Sequence, residues 1–226
     1  MARLTITIDG PAASGKSTAA RLLAEKIGAG FLDTGAMYRA VTLAAIQAGA
    51  DMTNPTELLG VLRKTKFEFT ANKGEMTAHI DGEDVTRQIR HPDVTENARY
   101  IASAPELRQQ LVRMQREFAA RCETLVTEGR DQGTVAFPDA DVKFYLTAEL
   151  TARARRRQAE LGANDEQNLE QLRDAIEQRD KSDRTRGVGP LRPAPDAVVI
   201  DTTNLSIDQV VQRLLDSVKE RCGGKI

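Results

Sequence analysis

Leu4-Thr5-Ile6-Thr7-Ile8-Asp9-Gly10-Pro11-Ala12-Ala13-Ser14-Gly15-Lys16-Ser17-Thr18 is the stretch that decides the architecture. Leu4, Ile6 and Ile8 alternate with threonines, as in a short strand, and apolar residues recur at helical spacing from Ser17 to Ile27. Between them, Gly10 to Ser17 satisfies the spacing G-x-x-x-x-G-K-S. Small residues let the main chain wrap phosphates, and backbone N–H groups at the helix start meet their negative charge. Lys16 then reaches the outer phosphates and the Ser17 hydroxyl offers a ligand to Mg2+. Gly10, Pro11, Ala12, Ala13, Ser14, Gly15, Lys16, Ser17 and Thr18 are therefore read as a nucleoside triphosphate cradle. A plain helix-start turn with a solvent-facing lysine explains fewer of these features.

Working outward, Gly30 to Leu32 predicts a second strand, with a helix from Met37 to about Ala48. Phe67 and Phe69 alternate before a turn at Asn72 to Gly74 and a further extended stretch at Met76 to Ile80. This predicts a small antiparallel insertion over residues 61–98. Leu107, Leu111, Met114 and Phe118 mark an amphipathic helix, expected to cover the central sheet. Strands are expected around Leu125 and Val126, Val142 to Leu146 and Ala197 to Ile200. A closing helix starts at Ser206 with an apolar face of Ile207, Val210, Val211, Leu214, Leu215 and Val218. Alternating strands and helices predict a three-layer α/β fold with a mainly parallel sheet, built on a single core over residues 1–226.

Three clusters beyond the loop carry chemistry. Arg153, Arg155, Arg156 and Arg157 lie in a charged helical stretch broken near Gly162 to Asp165, read as a short helical lid over residues 153–168. Arginines on such a lid neutralise phosphates during in-line transfer. Their helical directions differ, so the same-face pair Arg153 and Arg157 joins Lys16 as the catalytic expectation, against a solvated face of salt bridges. In Asp33-Thr34-Gly35-Ala36-Met37-Tyr38-Arg39, a hydroxyl, a ring and a guanidinium suit an acceptor bearing phosphate and a base. Thr34 as a helix cap and Tyr38 as core filler remain open. Glu128-Gly129-Arg130-Asp131 follows a strand, where ligand-facing loops occur in open α/β sheets; a mutually paired turn is the alternative. Arg179, Asp180, Asp183, Arg184 and Arg186 form a mixed cluster, read as functional or as a solvated helix face.

The ordered set IDGPAASGKST, FLDTGAMYR, DGEDVT, EGRDQGTVAFPDA, QRDKSDRTR and DTTNLSIDQV resembles the bacterial-type cytidylate kinase family over nearly the whole chain. The resemblance implies an adenylate-kinase-like P-loop fold with an enlarged monophosphate-binding insertion, and transfer of a phosphoryl group from ATP to CMP or dCMP with Mg2+. It further implies that Thr34 contacts the acceptor, Tyr38 packs around the nucleoside, and Arg39 and Arg130 bind the acceptor phosphate. By the same resemblance, Arg108 and Asp131 recognise cytosine, Arg179 and Asp183 address the sugar, and Arg186 touches phosphate. One position departs from the pattern: Arg99 stands where the family commonly has a serine that contacts cytosine. Weaker discrimination between CMP and UMP than in relatives with the serine is the expectation.

Composition narrows the rest. The chain has 226 residues, with 32 basic against 33 acidic and 4% aromatic, which argues against a duplex-binding face or an aromatic platform for single strands. No N-K-x-D segment for guanine recognition is present. Two cysteines, Cys122 and Cys222, support neither a disulfide framework nor a zinc site, and suit a reducing compartment. The opening MARLTITIDG lacks a secretory-type apolar run and no span is long enough to cross a bilayer, so cytoplasm and no membrane partner are expected. A monomer is expected from the charged surface. The alternatives are a kinase for another small acceptor, such as UMP or shikimate, and a nucleotide-controlled binding module without transfer.

Overall fold

The computed structural model describes residues 4–72, 75–161 and 168–223. In chain order the elements are β1 (Leu4–Asp9), α1 (Lys16–Ile27), β2 (Gly30–Asp33), α2 (Thr34–Gln47), α3 (Pro55–Lys64), β3 (Phe67–Asn72), β4 (Glu75–Ile80) and β5 (Glu83–Asp84). After a 3-10 turn at Gln88–Arg90 come α4 (Pro92–Ser103), α5 (Pro105–Ala119) and β6 (Thr124–Gly129). A π-helical turn at Gln132–Ala136 is followed by β7 (Val142–Thr147), α6 (Leu150–Leu161), α7 (Leu169–Thr185), β8 (Val198–Asp201) and α8 (Ile207–Cys222). The main sheet runs β2-β6-β1-β7-β8, and β3-β4-β5 form a second, antiparallel sheet. This is the expected three-layer α/β class with a mainly parallel sheet and an antiparallel insertion. The described residues divide into two units, one within residues 28–125 and one within residues 4–27 and 126–223.

In the unit of residues 4–27 and 126–223, β1 pairs in parallel with β7, Ile6 opposite Val142, and β7 pairs in parallel with β8. All six residues of β1 are buried, the threonines included. The alternating sequence therefore reports the pleat and not a solvent face, as befits a strand inside a parallel sheet. Helices α1 and α8 pack on each other, and α6 packs on α7. Val210, Val211, Leu214 and Val218 of α8 are buried as its pattern predicts, while Ile207 is exposed. Capping boxes fix two helix starts, Asn168 with Gln171 for α7 and Ser206 with Gln209 for α8. The expected break at Gly162 to Asp165, and with it residues 162–167 of the expected lid, lies outside the described residues.

In the unit of residues 28–125, β3 and β4 pair from Phe67 opposite Ile80 to Asn72 opposite Glu75. Residues 73–74 of the expected turn lie outside the described residues. Helix α2 starts at Thr34, three residues earlier than its apolar pattern predicts, because the Asp33 carboxylate accepts the Ala36 N–H and caps it. Helix α5 packs against α2, α3 and α4. Its buried stripe includes Gln115, while Met114 is only half-buried. Helix α4 has no counterpart in the sequence reading, since Val94 and Ile101 are its only buried residues. Cys122 and Cys222 are both free thiols.

Candidate active site

The loop between β1 and α1 is shaped by its glycines. A side chain at Gly10 would put its Cβ 2.2 Å from the Leu146 carbonyl oxygen of β7, so only glycine lets β1 end against that strand. Gly15 has φ +84°, and Ala13 adopts φ +56° despite its Cβ. Lys16 opens α1 almost fully buried, its Nζ donating to the Pro11 carbonyl at 3.1 Å. Burial, reinforced by the positive charge of Arg130, lowers the Lys16 ammonium to about 7. A buried ammonium closed in by its own loop is held ready for an anion that restores its charge. The Ser17 hydroxyl donates to Glu128 Oε1 at 2.9 Å, so the end of β6 meets the start of α1.

Four charged residues follow from β6 and α7. Arg130 donates through Nε to Asp183 Oδ2 at 2.8 Å. Arg186 lies 3.4 Å from the other Asp183 oxygen and 3.8 Å from Asp131 Oδ1. Burial works to raise the Asp183 carboxyl, but the Arg130 guanidinium, then Arg186 and Arg179, outweigh it and hold the group below the ordinary carboxylate range. Arg179 is exposed on α7. This unit thus brings Arg130, Asp131, Asp183 and Arg186 into one network of alternating charge, with Asp131 buried and the other three half-buried. Asp9, buried at the end of β1, accepts from Gln132 N at 2.8 Å and Gly133 N at 2.8 Å and anchors the turn that follows Asp131. Burial pushes the Asp9 carboxyl up to about 7, against the pull of those two N–H donors.

The four helical arginines separate. Arg153 is buried and bonded to Ala148 O, Ala12 O and Asp180. Arg156 donates to Thr202 Oγ1 at 2.9 Å, to the Thr202 carbonyl and to Ser14 O at 3.4 Å, which places it against the loop. Arg157 pairs with Glu160 at 3.3 Å and is exposed, as is Arg155. The same-face pair is therefore divided between interior and surface, and the two arginines that touch the loop are Arg153, at Ala12, and Arg156, at Ser14.

The unit of residues 28–125 assembles a second set. Asp33, after capping α2, accepts from Arg39 Nη2 at 3.1 Å and lies 3.9 Å from Arg90. The Arg39 Nε is buried with no acceptor among the described residues. Arg108 is buried, donates to Ala102 O at 3.2 Å and lies 5.6 Å from the centroid of the Tyr38 ring. A planar ring under a guanidinium fork offers stacking and directed donors together, which suits a heteroaromatic base. Thr34, the first residue of α2, is buried one helical turn before Tyr38. Arg99 lies 4.9 Å over the Tyr100 ring, donates to the Tyr100 hydroxyl at 3.3 Å, and its side chain is 61% exposed.

Sequence reasoning passed over Asp9, Thr202 and the roles of Glu128 and Asp180. Asp180 and Asp183 are three apart, which on a helix puts both carboxylates on one face; that spacing was the available signal. Thr202 and Asp9 carried none, because each acts through a contact with a distant part of the chain. Among the described residues no group of three or more His, Cys, Asp or Glu side chains is arranged to hold a metal ion, and no helix is long and apolar enough to cross a membrane.

A glycine-shaped loop between a buried parallel strand and a helix, with a buried lysine at the helix start, defines a P-loop nucleotide-binding protein. A family model described as Cytidylate kinase matches residues 6–220. The cytidylate kinase of Anoxybacillus flavithermus is 44% identical over 223 residues, covering 98% of this chain and 99% of that protein. That of Bacillus cereus is 42% identical over 217 residues, covering 96% of each. A solved structure of an uncharacterized protein from Eubacterium ventriosum is similar with a TM-score of 0.53 at 11% identity, covering 96% of this chain and 99% of that one, which bears on the fold alone. The chain belongs to the cytidylate kinase family, ATP-dependent nucleoside monophosphate kinases that transfer a phosphoryl group to CMP or dCMP.

Proposed function

We propose that ATP is held through Gly10 to Thr18, with Lys16 on the outer phosphates, and that the acceptor is held by Thr34, Tyr38, Arg39, Arg108, Arg130, Asp131, Arg179, Asp183 and Arg186. The observation that carries this assignment is the buried, charge-depleted Lys16 beside the Arg130–Asp183–Arg186 network. Two phosphate-bearing ligands would meet there a site rich in fixed positive charge. Transfer then rests on orientation and electrostatic stabilisation. An acceptor phosphate already carries ionised oxygens near neutral pH, so no dedicated base is needed and Asp131 serves recognition. Tyr38 and Arg108 suit the base, and Arg39, with an unused buried N–H, suits phosphate.

Two hard oxygen donors, Ser17 Oγ and Glu128 Oε1, 2.9 Å apart, fit the few protein ligands that Mg2+ takes beside phosphate. A magnesium ion held by Ser17 and Glu128 would supply positive charge that offsets the charge of the donor phosphates. Arg153 and Arg157 are the sequence-based catalytic expectation; Arg156, at the loop, is the better placed for charge on the donor. A cytoplasmic enzyme suits the free thiols, and a monomer suits the charged surface.

The test is Mg2+-dependent transfer from ATP to CMP, dCMP, UMP, AMP and shikimate in parallel. Preference for CMP and dCMP supports the assignment, and absence of transfer to both contradicts it.

A further inference from the structure

Ala12 lies in the phosphate loop, and both polar groups of its backbone are held from behind. Its N–H donates to Asp180 Oδ1 at 3.1 Å, and its carbonyl accepts from Arg153 Nη1 at 3.0 Å. The same Nη1 is 2.6 Å from Asp180 Oδ2, which closes a ring of three partners. Arg153 Nε donates onward to Ala148 O at 3.0 Å. Arg153 and Asp180 are 5% and 1% exposed, so water does not compete for these bonds. Ala12 also joins an apolar cluster with Ala154 of α6 and Leu172 and Ile176 of α7, against which Ala13, Leu150, Leu161 and Leu169 pack. The next residue, Ala13, sits at φ +56°, where a Cβ is sterically opposed. A loop shape that includes such a residue persists only when its surroundings impose it.

We propose that Arg153 and Asp180 are positioning residues that preform the phosphate loop for the donor nucleotide, acting through the backbone of Ala12. Neither needs to touch substrate: the guanidinium and carboxylate already have their partners inside the protein. With the ring intact, the loop's N–H groups are oriented before ATP arrives. With it broken, binding itself must order the loop, and the donor's apparent affinity falls by the fraction of molecules in the binding shape. The monophosphate acceptor does not draw on the Ala12 backbone, so its affinity is unaffected. This inference rests on Gly10 to Thr18 holding ATP, a premise that titrating the wild-type chain with ATP checks by itself.

Three substitutions separate positioning from plain support. Asp180→Asn keeps an acceptor for Ala12 N but removes the charge; Arg153→Met removes the fork and leaves Asp180 with Arg184 at 4.0 Å. Arg153→Lys keeps the charge without the planar fork. Calorimetric titration with ATP and Mg2+ in the absence of acceptor should show Kd raised about tenfold or more by Asp180→Asn and by Arg153→Met, the scale of one charged hydrogen bond. Arg153→Lys should restore part of that loss, and the double variant Arg153→Met with Asp180→Asn should be no worse than the poorer single. KM for CMP should stay within about twofold, a split that loss of general stability would not produce. In the wild-type chain, free of ATP, the Ala12 amide should be protected in hydrogen exchange. Unchanged ATP affinity, a parallel loss for ATP and CMP, or a rapidly exchanging Ala12 amide would each overturn the proposal. Failure of the wild type to bind ATP would instead remove the premise.

Discussion

The two units hold their functional residues in different ways. Around the phosphate loop, charge is buried or half-buried and locked: Lys16, Arg130, Asp183, Arg186, Arg153 and Asp180 are each engaged by neighbours inside the same unit. In the unit of residues 28–125, the arrangement mixes a ring, a guanidinium and an ion pair, and Arg99 of the same unit is exposed. Phosphate is recognised by charge and fixed dipoles, which gain strength where water is excluded. A base is recognised by shape and the direction of a few donors, so a single exposed substitution can alter preference there without altering the reaction. On the proposed assignment, Lys16 is expected to decide whether transfer occurs, and Tyr38 with Arg108 to decide onto which base.

Lys16→Met should cut deepest, lowering kcat/KM by about a thousandfold, as loss of a central electrostatic contact does. Its melting temperature should be unchanged or higher, because the buried ammonium is a cost to the free fold. A large loss of stability in that variant would show that Lys16 serves structure as well. Arg108→Ala should lower kcat/KM for CMP about a hundredfold, the loss of a buried charged hydrogen bond with stacking, while KM for ATP stays near wild type. Equal loss toward both nucleotides would blur the distinction between the two sets. The mildest change is Arg99→Ser, which should raise the preference for CMP over UMP by about tenfold, one hydrogen bond's worth of discrimination. An unchanged ratio would show that Arg99 stays clear of the base.

Acidity sharpens the same contrast. Lys16 titrates at about 7 in the free protein, and the phosphates of ATP favour its charged form. Below about pH 7 the ammonium is already present and affinity is full. Above it, binding must capture a proton, and Kd should rise with pH, by at most about tenfold per unit. Asp9 acts on stability with its own sign. Its folded value of about 7 lies above the ordinary carboxylate value of 3.8, so its contribution is full at low pH, is lost as pH rises through that window and is flat beyond it. Asp9→Asn should remove this slope, which melting curves from pH 4 to 8 would show.

The order of strands and helices was legible because apolar spacing and the loop signature are local properties. Phe67 and Phe69 announced β3, and Ser206 announced α8, without reference to anything distant. Helix α4 was not legible, since it buries only Val94 and Ile101 and leaves no stripe to count. In the site, residue type and position along the chain identified the charged groups, but not their partners. Arg153 and Arg157 share a helical face by spacing, yet Asp180 draws Arg153 inside while Arg157 stays with Glu160. The pairing of Arg156 with Thr202 joins residues 46 positions apart, a relation no local pattern contains. What was readable is what neighbours in sequence decide; what was not is what the fold brings together.

The most direct test of a division between donor and acceptor residues is calorimetric titration of three proteins, wild type, Lys16→Met and Arg108→Ala, with ATP and Mg2+ alone and with CMP alone. The account predicts that Lys16→Met loses ATP binding and keeps CMP binding, and that Arg108→Ala does the reverse. Loss of both ligands in either variant, with the fold intact by circular dichroism, would contradict it.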